Sequence, residues 1–144
     1  MAHIRLATAG AVKTENCHPF SGTDASRKCW TLVHNGTIYA VNKTFPYRLA
    51  QHGNTDSERV FLYLLDKLNK VRPSNESERF AVADEVVQEL SEHNKLNLLI
   101  SDGEILYVHK NMEETLFYLK TDNSYYFCTS LLETVYGGRS RQHS

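Results

Sequence analysis

Apolar positions along this chain follow two periods, and the change of period marks out the predicted elements. From His3 to Thr8 they alternate, as one face of a strand requires, until Gly10 interrupts the pattern. The polar stretch that follows, with Pro19 inside it, predicts a long loop through Lys28. Trp30 to Val33 is strand-like again and ends at His34-Asn35-Gly36, a turn-forming tripeptide. Thr37 to Val41 is expected to continue beyond it as a short strand paired across the turn.

The period then lengthens. Val60, Phe61, Leu64, Leu65, Leu68 and Val71 are spaced mostly three or four apart, which places them on one helix face. Thr55, Asp56 and Ser57 offer capping side chains at the start, Glu58 suits the positive end of the helix dipole, and Pro73 forbids continuation. Phe80, Ala83, Val86, Val87 and Leu90 repeat the pattern, with Ser77 or a polar neighbour as the cap. The two helices should pack together on one side of a sheet.

Period two returns at Leu96–Ile100 and Ile105–Val108, with Asp102-Gly103 between them as a tight hairpin turn. Thr115–Leu119 and Tyr125–Thr129 predict two further strands, joined through Asp122-Asn123. Residues 137–144, Gly-Gly-Arg-Ser-Arg-Gln-His-Ser, carry no apolar pattern and are expected to be a disordered tail, leaving residues 1–136 as a single domain. Strands, then two helices, then strands predict an α+β fold with mostly antiparallel pairing, because the alternation of a doubly wound sheet is missing.

Charge narrows the partners. Sixteen basic and 17 acidic residues are interspersed, so no basic stripe is available to grip a phosphate backbone and nucleic acid is not an expected partner. No apolar run approaches the roughly 20 residues of a membrane span, and Met1-Ala2-His3-Ile4-Arg5 lacks a signal-peptide core, so a cytoplasmic protein is expected. Cys17, Cys29 and Cys128 are odd in number and lack CxxC spacing, which favours reduced thiols over disulfides or structural zinc. The spacings of His3, His18 and His34 fit no metal pattern, and neither metal nor cofactor is expected.

Four segments taken in order say more than any one alone: His3-Ile4-Arg5-Leu6-Ala7-Thr8, Glu15-Asn16-Cys17-His18-Pro19-Phe20, His34-Asn35-Gly36 and Asn54-Thr55-Asp56-Ser57-Glu58. Together they resemble the class II glutamine amidotransferases, especially the compact stand-alone branch carrying HxRxAT, ENTHPF, HNG and TDSE in that order. The likeness runs from about Ala2 to Leu68 and, more loosely, through Ser101-Asp102-Gly103. It implies an αββα sandwich of the N-terminal nucleophile hydrolases, of which this chain would form part. It also implies that glutamine, or another γ-glutamyl small molecule, is the ligand.

Within that resemblance, Arg5 matches the arginine that holds the substrate α-carboxylate, a task suited to a planar, two-pronged donor. Asp56 matches the aspartate that pairs with the α-ammonium; a plain helix cap would equally explain an aspartate there, since capping is worth about 1 kcal/mol. Asn35 and Gly36 match an oxyanion hole built from a side-chain amide and a backbone N–H, although an Asn-Gly turn accounts for the pair on local chemistry alone. Cys17 occupies a position commonly threonine in the family and stands beside His18, where adjacent extended residues point apart; it is expected to be a bystander.

The family's nucleophile is an N-terminal cysteine whose own α-amino group serves as its base, several dozen residues before HxRxAT. Here Met1 stands almost directly before His3, so the resemblance predicts a partial domain lacking that cysteine and the first strands, inactive alone. A partner chain or an additional N-terminal segment would then complete it, and uncovered sheet edges and apolar surface are expected without one.

Overall fold

The computed structural model describes residues 13–130. The strand expected at His3–Thr8, including Arg5, and the expected tail at 137–144 therefore lie outside the described residues.

Among the described residues, six strands and two long helices follow one another as β1 (Phe20–Thr23), β2 (Cys29–Thr37), α1 (Asp56–Val71), α2 (Glu76–Ser91), β3 (Lys95–Ser101), β4 (Leu106–Lys110), β5 (Phe117–Lys120) and β6 (Tyr125–Cys128). Single-turn helices at Thr14–Asn16 and Phe45–Leu49 interrupt the loops. The first four strands form one sheet in the order β1-β2-β3-β4, and β5-β6 form a separate two-stranded ribbon. Every pairing is antiparallel, and the two helices are adjacent in sequence, so the fold is the expected α+β arrangement.

Burial explains the layering. Trp30 and Leu32 of β2, Leu96, Leu98 and Ile100 of β3 and Tyr107 of β4 all join one core with Val60, Phe61, Leu64 and Leu68 of α1 and Val82, Ala83, Val86, Val87 and Leu90 of α2. These strand positions share parity, so the helices cover one face of the sheet. On the other face Val33 is buried and Leu99 half-buried, but Leu106 and Val108 are 45% and 40% exposed. Two positions of the helical pattern stand outside the core. Val71, in the last turn of α1, is exposed, and Phe80 is half-exposed while its ring centroid lies 5.0 Å from that of Tyr107.

The helix ends follow local chemistry. Thr55 caps α1, its hydroxyl oxygen accepting from Glu58 N–H at 3.2 Å. Before Pro73 the chain leaves α1 through Arg72 in the left-handed region, φ 54°, its N–H donating to Leu68 O at 2.8 Å. Asn75, rather than Ser77, caps α2 by accepting from Glu78 N–H at 2.9 Å; Ser77 falls inside the first turn.

Three expectations are corrected. The predicted loop up to Lys28 contains β1, whose pairing is supplied entirely by β2: Phe20 faces Leu32 and Thr23 faces Cys29. A strand of four residues, Phe-Ser-Gly-Thr, is too short and too polar to announce itself by alternation. Its turn is held by Asp24, whose Oδ1 accepts from Ser26 N–H at 2.8 Å and Lys28 N–H at 3.0 Å, while Oδ2 accepts from the buried Trp30 indole at 2.9 Å.

His34-Asn35-Gly36, next, is not a turn. β2 runs through it unbroken, Asn35 facing Asn97 and Gly36 facing Leu96 of β3. Local Asn-Gly propensity yields here to pairing with a strand some 60 residues away. Nor does Thr37–Val41 form a strand: beyond Thr37 the backbone donors turn to side chains, Ile38 N–H to Asp56 Oδ2 and the Tyr39 and Ala40 N–H groups to Asn94 Oδ1 at 2.7 and 2.8 Å. The β3–β4 hairpin stands as expected, except that its connection is four residues long. Ser101 faces Leu106, and Asp102 Oδ1 accepts from the Glu104 and Ile105 N–H groups at 2.9 Å each.

Candidate functional site

Three of the four motif segments meet at the N-terminus of α1. Asn16, almost fully buried, clasps Asn54 twice: its Oδ1 accepts Asn54 N–H at 3.0 Å and its Nδ2 donates to Asn54 Oδ1 at 2.9 Å. Glu58, buried in the first turn, reaches back to accept the N–H groups of His52 and Gly53 at 2.6 and 2.8 Å. The loop before α1 is therefore fixed from both sides, by the Glu-Asn-Cys-His-Pro-Phe segment and by its own helix. His18 precedes a cis peptide to Pro19 and meets the Phe20 ring edge-on at 4.9 Å between centroids. Cys17 is exposed, its thiol 3.4 Å from Lys13 O.

The second junction joins β2 to α1. His34 lies on the helix-facing side of β2 and is 2% exposed; its Nδ1 is 2.9 Å from Ser57 Oγ and its Nε2 3.5 Å from Lys95 O. Asp56 is half-buried, and its Oδ2 accepts the Ile38 N–H at 3.0 Å. Its other oxygen, Oδ1, is 3.4 Å from Ser57 Oγ. Because Thr55 supplies the cap, Asp56 sits at the first helical position, where a carboxylate still benefits from the helix dipole while holding the strand's exit.

The expected residues are thus placed as follows. Gly36 and Asp56 belong to one junction, bridged by the Ile38 N–H two residues beyond Gly36. Asn35 is exposed, and strand alternation points its side chain away from the face that carries His34. Arg5 lies outside the described residues. His34, Ser57 and Asn16 make the connections between motifs, and only their presence inside those motifs could have singled them out, since residues 23 and 38 apart are coupled by no local rule. Among the described residues no group of three His, Cys, Asp or Glu side chains could hold a metal ion, and no helix is long and apolar enough to cross a membrane. A shallow depression lined by Ala40, Lys43, Glu89, His93 and Asn94 borders none of the candidate residues.

The family model described as "Glutamine amidotransferases class-II" matches residues 1–132, nearly the whole chain. The chain belongs to the class II glutamine amidotransferases. It is similar to "Putative glutamine amidotransferase" of Haemophilus influenzae, with 33% identity over 111 residues that cover 76% of this chain and 37% of the relative. With "Putative glutamine amidotransferase YafJ" of Escherichia coli it shares 36% identity over 106 residues, 72% of this chain and 41% of that protein. The crystal structure of a "predicted glutamine amidotransferase" from Pseudomonas aeruginosa PA01 superimposes with a TM-score of 0.62 at 27% identity, over 74% of this chain and 41% of that one. The chain therefore spans well under half the length of the class II relatives it matches.

Proposed function

We propose that this chain contributes the amino-acid clamp and oxyanion residues of a glutaminase, in which the glutamine amide is hydrolysed to glutamate and ammonia. The observation that carries the reading is the Ile38 N–H bond to Asp56 Oδ2 at 3.0 Å, which seats the ammonium-binding candidate beside the strand bearing Asn35-Gly36. Asp56 then attracts the α-ammonium and Arg5 forks onto the α-carboxylate, which selects a free amino acid. The Asn35 amide and the Gly36 N–H stabilise negative charge developing on the amide oxygen.

The thiolate has to come from elsewhere. Cys17, Cys29 and Cys128 lie inside the chain, and none has the free α-amino group that the family's nucleophile uses as its base. On this reading a cysteine outside these 144 residues, on the same polypeptide or on a partner chain, attacks the amide; ammonia leaves, and water releases glutamate from the thioester. Calorimetry with L-glutamine tests the clamp: the folded chain binds, and Arg5→Ala removes binding. A demonstrably folded sample that binds no amino acid overturns the reading. A polypeptide extended to begin with the family's cysteine should release glutamate.

A second reading, a non-catalytic module that binds glutamine or a γ-glutamyl compound, is favoured by the internal placement of all three cysteines. Binding that persists without glutamate release in the extended polypeptide would select it.

A further inference from the structure

We propose that residues 39–51 form a docking surface for an acidic amphipathic helix supplied from outside these 144 residues. The segment leaves β2 after Ile38, crosses α1 and ends at Gly53, so its two ends are tied to Asp56 and Glu58. Between them it is a firmly held coil. Val41 O accepts the Thr44 and Phe45 N–H groups at 3.1 and 2.7 Å, and Tyr47 O accepts those of Ala50 and Gln51 at 3.0 and 3.1 Å. Thr44 is fully buried beneath it, and the Tyr47 hydroxyl donates to Asp66 Oδ2 at 2.6 Å.

The outer side of the coil is apolar. Val41, Phe45 and Leu49, spaced four apart, are 42%, 56% and 98% exposed, and Tyr39 is 69% exposed. Leu49 and Tyr39 are the most exposed large apolar side chains among the described residues. Because the backbone under them is already fixed, covering them carries little of the entropic cost of ordering a loop. At about 1.5–2.0 Å per residue, Val41 to Leu49 makes a stripe about 12–16 Å long, which matches two to three turns of a helix laid along it.

Charge selects the occupant. From Thr37 to Thr55 the chain has no Asp or Glu, whereas Lys43 and Arg48 are both exposed. Lys43 has Glu89 at 3.6 Å. Arg48, next to Leu49, makes no ion pair among the described residues. A carboxylate beside the partner's apolar side chains completes it. A second copy fits poorly, since two-fold pairing of the stripe with itself sets Arg48 among cations and brings no carboxylate from the same segment. A bilayer fits poorly too: three apolar side chains and two cations fall short of the long apolar face or polybasic patch that holds a segment at a membrane surface.

The test uses the 144-residue chain and two synthetic helical peptides of about 18 residues, or five turns. Both carry leucines spaced three and four apart; one has glutamates flanking the leucines and the other lysines. In calorimetry the glutamate peptide should bind about fivefold more tightly than the lysine peptide, a gap that narrows at high salt and in Arg48→Ala. Leu49→Ser and Phe45→Ser should each weaken binding by about tenfold. Their urea midpoints should stay at the parent value, because both side chains are exposed. Equal binding of the two peptides, or binding that Leu49→Ser leaves unchanged, overturns the proposal. So does a dimer in sedimentation that Leu49→Ser dissolves, which would make a second copy the occupant. Adsorption to phosphatidylserine vesicles without binding of the glutamate peptide overturns it in favour of a membrane. Glutamine binding enters none of these readouts, so the result stands apart from that of the clamp.

Discussion

Gly36→Ala should be among the most damaging single-methyl changes in this chain, for a reason unrelated to backbone conformation. Among the described glycines only Gly103 has a positive φ, 91°, so Gly36 is not a turn glycine. A Cβ at position 36 would lie 1.9 Å from Lys95 O, 2.8 Å from Lys95 C and 2.7 Å from His34 Nε2. Carbon and oxygen approach to about 3.3 Å even in favourable C–H···O contacts, so β2 and β3 must part by more than an ångström locally. Parting them weakens about two ladder hydrogen bonds, each worth roughly 0.5–1.5 kcal/mol, and leaves neighbouring buried groups partly unsatisfied at about 1–3 kcal/mol. The expected loss is about 2–4 kcal/mol. Gly103→Ala is the control: it meets nothing within 4 Å, and only its left-handed backbone resists, at about 1–2 kcal/mol. Urea denaturation of the three proteins, with slopes compared to exclude a change in the unfolded state, measures both losses. A Gly36→Ala loss smaller than that of Gly103→Ala would refute the close-approach argument.

Other substitutions separate stability from binding. Arg79 Nε lies 2.6 Å from Asp102 Oδ2, whose side chain is fully buried, so Arg79→Met leaves that carboxylate only the more distant Lys28 Nζ, at 3.8 Å, as a cation and should cost about 3 kcal/mol by urea denaturation, with Asp102→Asn restoring part of it. Burial by itself pushes the Asp102 carboxyl up, but the Ile105 and Glu104 N–H groups and the Arg79 guanidinium outweigh it and hold the pKa below the ordinary value of 3.8. Its folded pKa is therefore below its unfolded one, so its contribution is complete above pH 4 and is lost as pH falls through the folded value; urea midpoints below pH 4 should drop more steeply in the parent than in Asp102→Asn. Thr55→Ala removes the α1 cap, at about 1 kcal/mol of stability. Asp56→Asn keeps an oxygen for the Ile38 N–H and should cost under about 1 kcal/mol, yet abolish glutamine binding in calorimetry.

Much of the fold was legible because it is written in local signals. The spacing of Val60, Phe61, Leu64 and Leu68, the Thr55 cap and Pro73 define α1 without reference to anything distant, and its observed bounds follow them. The β3–β4 and β5–β6 hairpins likewise carry both strands and turn within a few residues. The errors fall where a partner far along the chain decides. Phe20–Thr23 becomes a strand only because β2 is there to pair with it, and Asn35-Gly36, the best turn signal in its region, stays extended because β3 claims it.

The candidate site divides along the same line. The sequence by itself determined which residues carry the chemistry worth considering: an aspartate at a helix start, an asparagine-glycine pair, and an order of motifs sufficient to suggest the family. What only the tertiary structure decided is how they meet. That Asp56 holds the Ile38 N–H, that His34 hydrogen-bonds Ser57, and that Asn16 clasps Asn54 are contacts between residues 18, 23 and 38 positions apart. Propensity acts through neighbours in the chain. Hydrogen bonds of this reach form only after the core beneath them has brought strand and helix together, so they cannot be read from either segment alone.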